Sequence, residues 1–168
     1  MPLSKRLDIL QALTEHLEGI TPENGYTHDL RGRVFRGRGV FGSSDPTPMV
    51  SILEAPRPTE GFEAGEMGIV RAEDWVLLLQ GWAEDDRENP TDPAYQLKAS
   101  VERRLADIIA TRGGVGAHSA FRLGGRIVGL LIGPGVCRPP DQVSSRAYFF
   151  LPLAVRLAVD LGAPFVAE

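Results

Sequence analysis

The 168-residue chain is 43% hydrophobic and 24% charged, with 18 basic against 22 acidic side chains and a formal net charge of -4. Those values read as one soluble globular domain and argue against a general nucleic-acid coat, which needs a broad excess of positive charge, although local basic patches are allowed. A domain of this size buries roughly 70% of the surface its unfolded chain exposes, so it needs no metal or disulfide staple, and the lone Cys137 excludes an internal disulfide framework.

The N-terminal stretch MPLSKRLDILQALTEHLEGI mixes charges among its apolar residues. No apolar run approaches the roughly 20 residues needed to cross a bilayer, so neither a signal peptide nor a membrane span is expected and a cytoplasmic-type compartment follows. Leu7, Leu10, Leu13, Leu17 and Ile20 recur at helical spacing behind Ser4, which predicts an amphipathic helix over 4–18 with Ser4 as its N-cap. In GYTHDLRGRVFRGRGVFG, turn residues alternate with short branched or aromatic blocks centred on Val34 and Phe35, a strand or hairpin arm at 32–36. Pro46 and Pro48 precede MVSILE, a core strand at 48–54 with Val50 and Ile52 on one face and Met49 and Leu53 on the other.

Residues 55–72, rich in Pro, Gly and Glu, form an excursion whose length marks it as functional or mobile. WVLLLQGW is apolar on both alternating faces, which suits a central strand at 74–82 covered on both sides by helices or by a partner subunit. After the acidic connector EDDREN, Asp92 can cap a helix whose first position suits Pro93, and Ala94, Leu97, Val101, Leu105 and Ile108 carry that helix over 93–111 to a stop at Gly113-Gly114. Glycines punctuate 113–135, so the strand expected at 127–133 is short or bulged.

Ala147, Phe149, Leu151, Leu153, Val155, Leu157, Val159 and Leu161 share one parity, which a strand over 145–160 puts on one face and a helix would scatter. Pro152, on the other parity, removes a ladder donor and belongs at an edge, a bulge or a switch between two partners. At about 3.3 Å per residue the run reaches about 50 Å, long enough for part of it to pair with another subunit. The expected fold class is α+β, a mainly antiparallel twisted sheet packed on one face by two amphipathic helices, with the opposite face making subunit contacts.

Chemical motifs are sparse. Gly37-Arg38-Gly39-Val40-Phe41-Gly42 matches G-x-G-x-x-G, but the prolines after it deny the strand–turn–helix context of a dinucleotide site and leave a flexible glycine loop. His16, His28 and His118 are scattered without metal-ligand spacing, and Glu84, Asp85, Asp86, Glu88 and Asp92 lack the order of a calcium loop, so a solvated acidic loop or ionic docking patch fits better. Cys137 beside Arg138 is a conceivable thiolate with His118 as base, or simply a small residue in a Pro/Gly loop. Arg31, Arg33, Arg36 and Arg38 form the one dense basic tract, in which the first and second pairs would face opposite sides of an extended backbone. It is either a site for phosphate or an acidic neighbour, such as the Glu84–Asp92 cluster of the next subunit in a head-to-tail ring, or a charged edge strand that blocks stray pairing.

Taken in order, SKRLDILQALTEHLEGI, RGRVFRGRGVFGSSDPTPMVSILEAPRP, WVLLLQGWAEDDRENPTDPAYQL and AYFFLPLAVRLAVDL resemble, over nearly the whole chain, the tail terminator (tail-completion) proteins of long-tailed bacteriophages, the lambda-type family of small α/β ring proteins. The resemblance implies a structural virion protein rather than an enzyme, with no cofactor, no metal and no membrane partner. It implies a hexameric ring that caps the growing tail tube, stops its polymerisation and receives the head. Its partners would be the tail tube protein, a head–tail connector or neck protein, and genome DNA passing through the lumen without sequence-specific binding. It would reside at the head–tail junction of the virion and in the host cytoplasm during assembly. The candidate interface residues are Arg31, Arg33, Arg36 and Arg38, the acidic Glu84, Asp85 and Asp86, and Phe62 and Met67 of loop 55–72, with loop 113–126 as a further surface. The glycine-rich 113–135 and the long loop 55–72 also suit another neck component, an adaptor or stopper. From a different class, a small cytosolic α/β enzyme or ligand-binding domain would use Cys137 and His118.

Overall fold

The computed structural model describes residues 1–54, 68–110 and 121–167. The fold is α+β. Helix α1 (Lys5–Glu18) is followed by a short 3-10 turn and the strands β1 (Val34–Arg36), β2 (Met49–Glu54) and β3 (Val70–Trp82). After helix α2 (Asp92–Ile109) come a single turn, α3 (Arg122–Gly125), and the strands β4 (Gly129–Ile132), β5 (Val136–Arg138) and β6 (Tyr148–Asp160). The strands form one sheet in the order β1-β2-β3-β6-β4, with β5 also on β6. Of its five pairings only β1–β2 is parallel, so β1 is not the hairpin arm that its turn-rich flanks allow. Among the described residues, no helix is long and apolar enough to cross a membrane.

Ser4 caps α1, its Oγ accepting the Leu7 N–H at 3.2 Å. The buried stripe of α1 is Ile9, Leu13, Thr14 and Leu17, continued by Ile20, whereas Leu7 is exposed and Leu10 half-buried. The four-residue spacing from Ile9 decides which way the helix turns; Leu7, two residues earlier, falls on the opposite flank. The stripe predicted for α2, Ala94 through Ile108, is buried throughout. Its start and end differ from expectation: Thr91 is the N-cap residue without a side-chain capping bond, Asp92 opens the helix, and the chain leaves helical geometry at Ala110. The expected Gly113-Gly114 stop lies outside the described residues.

The alternating run of β6 puts Phe149, Leu151, Leu153, Val155 and Leu157 into the core beneath the helices, together with Trp75, Leu77 and Leu79 of β3; Leu161, past the strand end, is exposed. All thirteen residues of β3 pair with β6, from Val70↔Asp160 to Trp82↔Tyr148. Strand β3 thus begins before Trp75, inside the stretch expected to be loop, because β6 continues to supply a partner. On its other side β6 changes partners. It pairs with β4 at 153–156 and with β5 at 148–150, and the break falls opposite Pro152, whose carbonyl accepts the Gly133 N–H at 2.9 Å but which has no N–H to return. Glycine is required around that break, since a Cβ on Gly133 would lie 2.7 Å from Pro152 Cγ and one on Gly135 2.6 Å from the Phe150 carbonyl oxygen.

Turn α3 runs left-handed, with φ of +46° at Arg122 and +53° at Leu123 before Gly124 and Gly125. Such geometry costs an L-residue about 1–2 kcal/mol, and burial of Leu123 in the core offsets it.

The deepest packing constraint is at Gly81, which pairs with Phe149: a Cβ there would fall within the Phe149 ring, itself fully buried. Gly81→Ala is expected to destabilise the fold by about 1–3 kcal/mol, the range for overpacking a filled core. Urea denaturation with an unchanged m-value measures it, and a loss below about 0.5 kcal/mol contradicts this packing.

Candidate functional site

The strand registers arrange the sheet face opposite the helices as transverse rows. At one end lie Met49, Trp82 and Tyr148, then Phe35, Ser51, Gln80 and Phe150. Next come Leu53, Leu78 and Pro152, then Val76, Ala154 and Leu131, and finally the ion-paired Asp74 and Arg156. Exposure rises along this series. Trp82 and Met49 are buried, Leu53, Leu78 and Pro152 half-buried, and Val76 and Leu131 are 54% and 61% exposed. Large branched side chains side by side on a sheet face that no described helix covers make an apolar patch, the surface signature of an interaction site.

Residues 37–47 cover the buried end. Parallel strands cannot be joined by a tight turn, so after Arg36 the chain must travel back before β2 can start beside β1. On the way Phe41 lies on Trp82, with ring centroids 3.8 Å apart, and meets Phe35 edge-on at 6.1 Å. The Arg38 guanidinium sits 4.8 and 4.5 Å from the Phe35 and Phe41 ring centres and pairs with Asp45 at 2.6 Å. Asp45 also accepts the Gly42 N–H at 2.7 Å, and that bond, followed by Arg38, holds its carboxyl below the usual carboxylate range. Tyr148 is closed off separately, its hydroxyl donating to Asp141 at 2.8 Å.

Each arginine of the basic tract has an intramolecular partner. Arg31 pairs with Asp29 and Glu23, and Arg33 donates to the Thr47 carbonyl at 2.9 Å. Arg36 donates to Thr14 of α1 at 2.9 Å, while Arg38 lies on the outer face. The expectation that Arg36 and Arg38 share a side therefore fails, because Gly37 between them takes φ of +71° and breaks the extended backbone. Arg36 sits on β1, at one edge of the sheet.

The acidic residues divide too. Asp85 pairs with Arg146 at 3.2 Å, and Asp86 accepts the Glu88 and Asn89 N–H groups at 2.8 Å each, shaping the turn into α2. Glu84 instead lines a cleft of about 460 Å³ with Thr27, His28, Asp29, Arg33 and Leu97. One arginine and one carboxylate of the two supposed docking groups thus line the same cleft of a single subunit. Phe62 and Met67, the expected His118 base, and most of loops 55–72 and 113–126 lie outside the described residues. The sequence reading did not single out Val76, Leu131 or Phe41; the signal for the first was on view in the two-sided apolar pattern of WVLLLQGW.

Burial pushes the Cys137 thiol up, partly opposed by Lys98, the opposite of what an activated nucleophile needs. Arg138, expected to stabilise a thiolate, instead approaches Asp141 at 3.9 Å. Among the described residues no group of three or more His, Cys, Asp or Glu side chains is placed to hold a metal ion.

In the cleft, His28 Nδ1 lies 2.9 Å from Ser100 Oγ, and burial lowers its pKa despite the charge of Glu84. The folded state therefore favours the neutral ring, so the unfolded chain takes up the proton first. The stability this contributes is present above the ordinary histidine range and is lost as pH falls below it. Thermal unfolding between pH 7.5 and 5.5 is expected to show a decline in Tm that His28→Gln reduces; an undiminished decline in that variant contradicts the assignment.

No family model matches the chain, and no curated protein matches it significantly.

Proposed function

We propose that the chain is a structural, ring-forming subunit of the tail terminator type, which closes the head-proximal end of a long-tailed phage tail tube and offers the docking surface for the head or its connector. The observation that carries the reading is the sheet face on which the described residues place no helix, where Leu53 and Leu78 are half-buried and Val76 and Leu131 exposed while the other face is sealed by α1 and α2. A monomer would leave that patch in water; a neighbouring subunit in a ring removes it. The resemblance of the chain's ordered segments to the lambda-type family supplies the ring and its place in the virion, with the tail tube and neck proteins as partners. The chemistry of the site agrees with a role in geometry rather than catalysis, since Cys137 is held as a thiol and the basic tract is paired within the chain.

Light scattering across a concentration series, followed by negative-stain imaging, tests the proposal. The wild-type protein is expected to form a ring of about six subunits, alone or on tail tubes. Val76→Glu and Leu131→Glu, at exposed sites, are expected to keep the wild-type Tm within the scatter of surface substitutions and to lose assembly. A chain that stays monomeric and leaves tail tubes uncapped, or variants that assemble normally, overturn the reading.

A further inference from the structure

The glycine-rich 37–47 segment crosses the face proposed for assembly. Its ends are fixed, Gly37 N–H donating to the Ile52 carbonyl at 2.8 Å and Arg33 to the Thr47 carbonyl at 2.9 Å, and between them the described contacts are Phe41 on Trp82, Arg38 between two rings, and the Arg38–Asp45–Gly42 turn. Gly37, Gly39 and Gly42 loosen the backbone between those points, and Val40 at the crest is 84% exposed. Beside Phe35, Ser51 is fully buried, and among the described residues its Oγ has no hydrogen-bond partner. The covered residues Phe35, Met49, Ser51 and Trp82 continue the open rows of Leu53, Leu78, Val76 and Leu131 without a gap.

We propose that residues 37–47 are an autoinhibitory cover: latched by Phe41 in the free subunit, they shorten the apolar face and lift when a second copy of the chain packs against it. The inference rests on the reading of that face as a subunit interface. A cover that is shut most of the time lowers apparent self-affinity by its open fraction, which holds subunits apart until a template or high concentration favours the ring. The second copy is the occupant because Phe35, Met49 and Trp82 extend the same patch and the polar residues among them, Ser51 and Gln80, add no charge.

Native-state hydrogen exchange and self-association test it together. In the free wild-type chain, the Gly42 and Asp45 amides, which close the latch turn at 2.7 and 3.1 Å, are expected to exchange at least about tenfold faster than the Leu79 amide and without urea dependence, as local opening requires. In a Trp75→Phe background, Phe41→Ala is expected to raise acrylamide quenching of Trp82 at least about twofold and to lower the self-association midpoint about tenfold. Asp45→Asn, which leaves the aromatic contact in place, is expected to act in the same direction with a smaller effect. Latch amides that open only with global unfolding, or an unchanged midpoint in a chain that does self-associate, overturn the cover alone. Latch amides that open locally in a chain that never self-associates, with or without Phe41, overturn the interface reading and the autoinhibition with it.

Discussion

Thirteen consecutive antiparallel pairs between β3 and β6 set the geometry on which the rest of the molecule depends. Because side chains alternate along both strands in register, this one ladder sorts the central apolar residues into two sheets of surface at once. One carries Trp75, Leu77, Leu79, Phe149, Leu151, Leu153 and Val155 to the helices; the other carries Val76, Leu78, Pro152 and Ala154 away from them. A slip of one residue would exchange the two sets. It would also move Gly81 from under Phe149, where no larger side chain fits.

The two faces meet different fates for topological reasons. Helices α1 and α2 seal the inner face, and His16 and Arg104 tie the helices together by exchanging backbone contacts, Arg104 Nε donating to the His16 carbonyl and the His16 ring meeting the Arg104 carbonyl, both at 2.7 Å. Among the described residues the outer face receives no helix. Phe41 of the connection forced by the parallel placement of β1 beside β2 lies on Trp82 at its upper end. The remainder is an apolar surface that the chain itself leaves open among the described residues.

Much of this was legible in residue patterns. Period-two alternation over 145–161 identified β6, and the three- and four-residue spacing of Ala94 to Ile108 identified α2, because both runs are long enough for one periodicity to exclude the other. The missing N–H of Pro152 allowed an edge, a bulge or a switch of partners, and the structure shows the last, although the partners themselves, β4 and β5, are too short to show a pattern. The first residues of β3, Val70 to Asp74, are mostly polar and exposed, so strand structure there follows from pairing rather than from burial. The direction of β1 was not legible at all: three residues fix neither a partner nor its sense. For the site, the two-sided apolarity of WVLLLQGW pointed to a second covered face, whereas the arginine tract drew attention by its charge density and proved to be paired at home.

Interface geometry rather than reactive chemistry is therefore the centre of this account, and the claim can be read out at a single position. Leu131→Cys in a Cys137→Ser chain places one thiol in the middle of the open rows, where a short thiol-linked photo-crosslinker reports its neighbours in the assembled protein. The account predicts adducts that join two copies of the chain and map to one recurring surface of the neighbour. Assembled protein that yields only adducts within one chain would contradict it, because the outer sheet face would then stand free in the ring.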